Sequence, residues 1–198
     1  MRAARRPDGR LTAGAVGPVR LGDGDDWFAS GVGASDVHGG AGQDVLQHVD
    51  GRMFGGAGDD VIAGNWGAGG GGDDVLTVGS GAGESGDDAL KCFTRDTACR
   101  LDGGSGDDRL TGGTSVDWLF GRGGDDFIHG GDDRDTLRGG PGADVLVSRE
   151  ERSAARDKVE CGAGPRDRAV ADRRDDVKRS CERVRLPPAT GRAAGAAP

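Results

Sequence analysis

Residues 103–147 read GGSGDDRLT, GGTSVDWLF, GRGGDDFIH, GGDDRDTLR, GGPGADVLV, five nine-residue units with no gap between them. Asp stands sixth in every unit, at Asp108, Asp117, Asp126, Asp135 and Asp144. A large apolar residue stands eighth in every unit, at Leu110, Leu119, Ile128, Leu137 and Leu146. Fixed spacing of an acid and an apolar side chain over five tandem units is a structural period. A disordered acidic linker has no reason to keep it.

The period has a chemical reading. A six-residue turn offers several carbonyl oxygens to one point only if its backbone curls tightly through positive φ, which glycine permits without steric cost. The sixth-position Asp adds a charged oxygen at the end of the turn. An all-oxygen donor set suits a hard cation, and calcium takes roughly six to eight oxygens. The three residues after the turn alternate as a short strand with the eighth position pointing inward. Two units then make one coil, and coils stack.

The pattern G-G-x-G-x-D-x-U-x is the nonapeptide signature of calcium-binding parallel β-helices. Residues 103–147 resemble the repeats-in-toxin (RTX), hemolysin-type family of secreted calcium-binding proteins. The resemblance implies an all-β parallel β-roll. It also implies that each ion sits between turns one coil apart, shared by the Asp residues of both.

Units extend upstream with irregular spacing. Leu21–Ala29, Gly39–Gln47, Gly55–Ala63, Gly69–Thr77 and Gly83–Lys91 carry Asp26, Asp44, Asp60, Asp74 and Asp88 at the sixth place. Ser30–His38 is degenerate, with Ser35 where Asp is expected. Better turns start at 21, 39, 55, 69, 83, 103, 121 and 139, with poorer segments between them; GGTSVD and GGDDRD lack the fourth glycine, having Ser115 and Asp133. This alternation predicts one solenoid edge bearing Asp26, Asp44, Asp60, Asp74, Asp88, Asp108, Asp126 and Asp144. The opposite edge, with Asp117 and Asp135, is expected to be partly metal-free and to absorb insertions. The repeats are irregular over 48–102, and the phasing is weakest at 55–91, where a 14-residue coil is tight for two turns and two strands.

Four segments are expected: a disordered basic N-terminus at 1–20, the β-roll at 21–147, a C-terminal cap at 148–185 and a disordered tail at 186–198. A stack of strands needs its last coil covered. The cap segment resembles the ends of secreted repeat proteins of this kind. Cys161 and Cys181 are read as its staple, closing a loop worth roughly 3 kcal/mol in the chain-entropy picture. Cys92 and Cys99 flank a six-residue loop within the longest interruption, 92–102, and are read as a local disulfide, with two unpaired thiols as the alternative. An even cysteine count fits an oxidising compartment. LPPATG at 186–191 is one residue too long for a sortase signal.

The chain carries 41 Gly, no Tyr and a formal net charge of −8. Residues 21–147 hold 34 of those glycines, with 24 acidic and 8 basic residues, giving −16; each flank sums to +4. Such a block repels itself without counter-charge and argues for cations over nucleic acid as partner. No apolar run approaches the ~18 residues of a membrane span. The first twenty residues are basic and lack the apolar stretch of a signal peptide.

GAGESG at 81–86 matches G-x-G-x-x-G without the surrounding βαβ pattern. His38, His48 and His129 belong to no H-E-x-x-H motif, and neither an EF-hand loop nor a G-x-S-x-G elbow occurs. No catalytic activity is expected. Trp27, Trp66, Trp118 and Phe127 are aromatic candidates for a glycan surface, with Trp27, Trp118 and Phe127 expected on one outward face; shielding of neighbouring strands is the plainer reading. The expected function is binding of several calcium ions that drives folding outside the cell. The alternatives are an adhesive or surface-layer module, or the repeat region of a larger secreted hydrolase.

Overall fold

The computed structural model describes residues 10–11, 17–30, 36–93, 97–148 and 155–187. Much of the expected N-terminal segment, and all but the first two residues of the expected tail, lie outside them. Every described strand pairs in parallel, and the pairs close into a right-through stack of coils with two sheets. No helix occurs among the described residues.

Each coil contributes one strand to each sheet. In one sheet Trp27–Ser30, Val45–Ala57, Val61–Gly71, Val75–Ser85, Ala89–Cys92, Arg109–Thr111, Phe127–His129, Val145–Val147, Arg168–Val170 and Arg183–Arg185 follow one another. In the other, Val19–Asp23 and Asp36–Ala41 lead through the second halves of the long strands. Arg100–Ser105, Trp118–Gly123, Thr136–Pro141, Lys158–Ala163 and Asp176–Val177 complete it.

The core is two stacked columns between the sheets. Phe28, Leu46, Ile62, Leu76, Leu90, Leu110, Ile128, Leu146 and Ala169 form one; Val19, Val37, Met53, Leu101, Leu119, Leu137 and Val159 form the other. All five eighth-position residues of the opening stretch are fully buried. In-register stacking makes this automatic, because a period-2 strand presents the same face in every coil.

The irregular coils are solved by deletion. Val61–Gly71 and Val75–Ser85 each run from one sheet into the other as a single 11-residue strand, without a six-residue turn at that corner. The coil narrows there, and its inner positions become Gly67 and Gly81. A Cβ at Gly67 would lie 2.7 Å from Ile62 Cγ2 and 3.2 Å from Val78 Cγ1.

Two boundary expectations are corrected. The stack begins before residue 21: Arg10–Leu11 pairs with Trp27–Phe28, and Val19 is buried against the core. Within the expected cap, the described strands Lys158–Ala163, Arg168–Val170, Asp176–Val177 and Arg183–Arg185 continue both sheets. The extra residue in Cys161–Asp167 is absorbed at Arg166, at φ 80°, so Val159 and Ala169 keep their inward register. Both disulfides are present: Cys161–Cys181 ties this last region together, and Cys92–Cys99 closes the longest interruption.

Candidate metal centre

The sixth-position Asp residues form two ladders, one on each edge. On the first edge the backbone N–H of each Asp donates to Oδ1 of the Asp one coil ahead. Asp26 donates to Asp44 at 2.8 Å, Asp44 to Asp60 at 2.8 Å, Asp60 to Asp74 at 2.7 Å and Asp74 to Asp88 at 2.8 Å. Asp88 then donates to Asp108 at 2.9 Å, Asp108 to Asp126 at 3.0 Å, Asp126 to Asp144 at 2.9 Å and Asp144 to Asp167 at 3.0 Å. The second ladder runs from Cys99 through Asp117, Asp135 and Asp157 to Asp175. Asp108 and Asp117 therefore stand on opposite edges.

From Asp44 to Asp167, one oxygen of each first-edge carboxylate is thus used by the ladder, and the other is not. Oδ2 of Asp44, Asp60, Asp74, Asp88, Asp108, Asp126, Asp144 and Asp167 is buried and finds no hydrogen-bond partner among the described residues. A buried charged oxygen left unpaired is costly, by several kcal/mol in an apolar setting. From Asp44 to Asp144 each of these atoms sits over the first glycine of its own turn: a Cβ at Gly55 would overlap Oδ2 of Asp60, and one at Gly103 would overlap Oδ2 of Asp108. The same Cβ would stand 2.6 Å from the Gly69 carbonyl oxygen at Gly55, and 2.7 Å from that of Gly121 at Gly103. Side-chain-free backbone here is what lets carboxylate and carbonyl oxygens converge.

A second file of acids faces the first. Asp25 Oδ1 accepts from Gln43 N–H at 2.9 Å, Asp59 from Asp73 at 3.0 Å and Asp73 from Asp87 at 2.9 Å. Asp87 accepts from Asp107 at 2.8 Å, Asp107 from Asp125 at 2.7 Å and Asp125 from Ala143 at 2.8 Å. These fifth-position carboxylates lean forward to the next coil, whereas the sixth-position ones lean back. Each interval is thereby walled by oxygens from both sides. Intervals ending at Asp44, Asp74, Asp88, Asp108, Asp126 and Asp144 hold two carboxylates each. Those ending at Asp60 and Asp167 hold one, because Gln43 and Ala143 take the fifth place.

The electrostatics follow. Desolvation first, and neighbouring carboxylates after it, push Asp44, Asp60, Asp74, Asp108 and Asp144 up to about 6, and Asp88 and Asp126 up to about 7. All are above the ordinary Asp value near 3.9. An acid whose folded pKa is raised takes up protons on folding, so it opposes folding above its folded pKa. That opposition fades as pH falls from about 7 toward 4. In chelator the chain is accordingly expected to show more β-structure by circular dichroism at pH 5 than at pH 8; equal or smaller content at pH 5 would contradict this electrostatic account.

Asp117 behaves differently. Its Oδ1 accepts from Cys99 N–H at 2.9 Å and its Oδ2 from Gly113 N–H at 2.6 Å, so the backbone uses both oxygens. Burial raises its pKa against these two hydrogen bonds.

The donor set is all oxygen and anionic, which fits calcium and not a soft metal. The family model described as RTX calcium-binding nonapeptide repeat (4 copies) matches residues 21–48, 50–68, 68–84, 100–127 and 111–146. The chain belongs to the RTX calcium-binding repeat family. Its repeats are calcium-binding repeats, and its all-β coil stack is a β-roll. No curated protein and no solved structure matches the chain.

Within this RTX array, Asp26, Asp44, Asp60, Asp74, Asp88, Asp108, Asp126 and Asp144 lie together on one edge, and Asp117 and Asp135 on the other. Asp167 closes a turn-like segment with Gly162 and Gly164 that the sequence shows with one extra residue, whereas two ladder members, Asp157 and Asp175, were not singled out from the sequence. Insertions before them break the nine-residue count. The fifth-position file was also missed, although the Asp-Asp pairs at 25–26, 59–60, 73–74, 87–88, 107–108 and 125–126 signal it. The expected aromatic face does not form as one. Trp27 and Phe127 belong to one sheet and Trp118 to the other.

Proposed function

We propose that this RTX chain is a calcium-loaded module that folds outside the cell, with the first edge as its principal ion-binding row. The observation that carries the reading is the file of buried, unpartnered Asp Oδ2 atoms facing backbone carbonyls across each interval. Six intervals carry two carboxylates, so one divalent ion neutralises each. Bound calcium supplies positive charge and oxygen coordination; the chain's part is to align the carboxylates by the Oδ1 ladder. Asp117 serves the turn through Cys99 and Gly113. Two disulfides and a need for millimolar calcium suit an extracellular setting. The reading includes no catalytic role.

Equilibrium dialysis against radioactive calcium tests it. About six ions per chain are expected, with half-saturation around 10⁻⁴–10⁻³ M, as in extracellular calcium modules. Magnesium, which demands near-octahedral geometry and sheds water reluctantly, is expected not to compete at equal concentration. Binding of one ion or none would overturn the proposal.

A further inference from the structure

Beside the calcium edge, three arginines converge on one aromatic ring. Arg100, Arg122 and Arg138 come from three successive coils. Their guanidinium carbons lie 4.2, 5.5 and 5.7 Å from the centroid of Phe120. Phe120 is buried beneath them, while the three arginine side chains are more than half exposed. Together with Pro141 and the backbone of Gly139 and Gly140 they line an open groove of about 610 Å³. Asp102 grips Arg122 through two hydrogen bonds, at 2.8 and 2.6 Å. It stands 3.7 Å from Arg100, and Glu160 holds Arg138 at 2.8 Å. Three cations against two anions leave a positive site on a chain of net charge −8.

Arg122 carries a second, independent signal. It occupies the second place of its turn at φ 90°. The equivalent place is glycine at Gly22, Gly40, Gly56, Gly70, Gly104 and Gly140, and Glu84, at φ 83°, shares the strained conformation. A non-glycine residue in that region stores strain on the order of 1 kcal/mol or more, which persists where surroundings or function hold it. Here a strained backbone presents a guanidinium at the groove, pre-oriented by Asp102.

The same outer face continues along the stack. On the same outer face, paired positions run from Arg100 to Ser80 and from Asp102 to Ala82 and Ala68, a floor of small side chains. It ends at a cluster in which His38 stacks on Phe54 at 4.7 Å and Phe54 meets Trp66 at 5.3 Å. Phe54 and Phe120 lie four coils apart, roughly 19 Å at the usual strand spacing. A flat strip with guanidinium forks at one end and aromatic rings at the other fits an extended chain of sugar rings bearing anions. Arginine forks match carboxylate and sulfate, and aromatic faces cover the apolar side of a ring.

We propose that Arg100, Arg122 and Arg138 form the anion-recognition site of a groove that binds an acidic oligosaccharide, one carrying carboxylate or sulfate groups. The site rests on the folded, calcium-loaded β-roll, since Arg122 and Gly139 belong to first-edge turns.

The test is isothermal titration of the calcium-saturated protein with trigalacturonate and with a heparin-derived tetrasaccharide. Maltotriose and sodium sulfate serve as controls, and circular dichroism of every sample records whether the roll is folded. At least one acidic oligosaccharide is expected to bind, and both controls to fail. In the R122G variant, binding is expected to fall at least tenfold, a loss of about 1.4 kcal/mol, while the thermal midpoint holds or rises because the strain is gone. R100Q/R138Q is expected to lose binding with the fold intact. Failure of both oligosaccharides on folded protein, equal affinity for free sulfate, or undiminished binding by folded R122G would each overturn the proposal. A chain that does not fold in calcium would count against the calcium reading instead.

Discussion

Addition of EGTA to the folded protein at pH 7.5 is expected to remove nearly all of its far-UV β-signal, and calcium in excess to restore it. Residues 21–147 carry −16, and 34 glycines each lose about 0.5–1 kcal/mol more than alanine would on ordering. Against this stands a core one side chain deep per sheet. Seven first-edge carboxylates are pushed to about 6 or about 7 by their burial, so at pH 7.5 the ion-free fold holds charged groups it disfavours. At 1 mM calcium and a site constant near 10⁻⁴ M, each ion that binds only the folded state contributes about 1.4 kcal/mol. About six such ions contribute on the order of 8 kcal/mol, comparable with the whole stability of an ordinary domain. Calcium removal therefore takes away an amount equal to what folding can spare. The measurement is circular dichroism with a magnesium control; a β-signal that survives EGTA would mean the core and disulfides suffice.

Replacing Asp88 by Ala is expected to raise the calcium midpoint severalfold and to divide one cooperative transition into two. Asp88 lies mid-array. Its Oδ1 accepts from Asp74 N–H at 2.8 Å, and its own N–H donates to Asp108 at 2.9 Å. Truncation orphans the buried Asp74 amide, at about 1–3 kcal/mol, and leaves Asp73 as the lone carboxylate of that interval. Repeat stacks are stabilised through nearest-neighbour contacts, so a weak central interface uncouples the coils on either side. Asp88→Asn separates the two effects, since its amide oxygen retains the hydrogen bond while the charge is lost. Dialysis should count one ion fewer in both variants. Asp117→Ala is expected to lower stability with no ion lost, because backbone amides already occupy both its oxygens. An unchanged ion count in Asp88→Ala would remove Asp88 from the ligand set.

The repeat was legible because its cause is local. A turn that curls must have glycines, and a three-residue strand must have its apolar residue in the middle. Spacing alone therefore placed Leu110, Leu119, Ile128, Leu137 and Leu146 in the core and separated Asp108 from Asp117. The cysteine pairings were legible for a related reason, since Cys92 and Cys99 close one local loop and Cys161 and Cys181 lie together beyond the repeats. What the tertiary structure decided was everything that depends on which coils touch. It showed that the 14-residue coils omit a turn, running Val61–Gly71 and Val75–Ser85 straight through both sheets. It also drew Asp157, Asp167 and Asp175 into the ladders despite insertions that hide their period, and turned the expected cap into further coils. Most of all it assembled the Arg100, Arg122 and Arg138 groove. These residues are scattered over 39 positions of sequence, and only the stacking of coils at the parallel-strand spacing places them around Phe120. A local period fixes which way a side chain points; only in-register pairing between coils fixes what it meets.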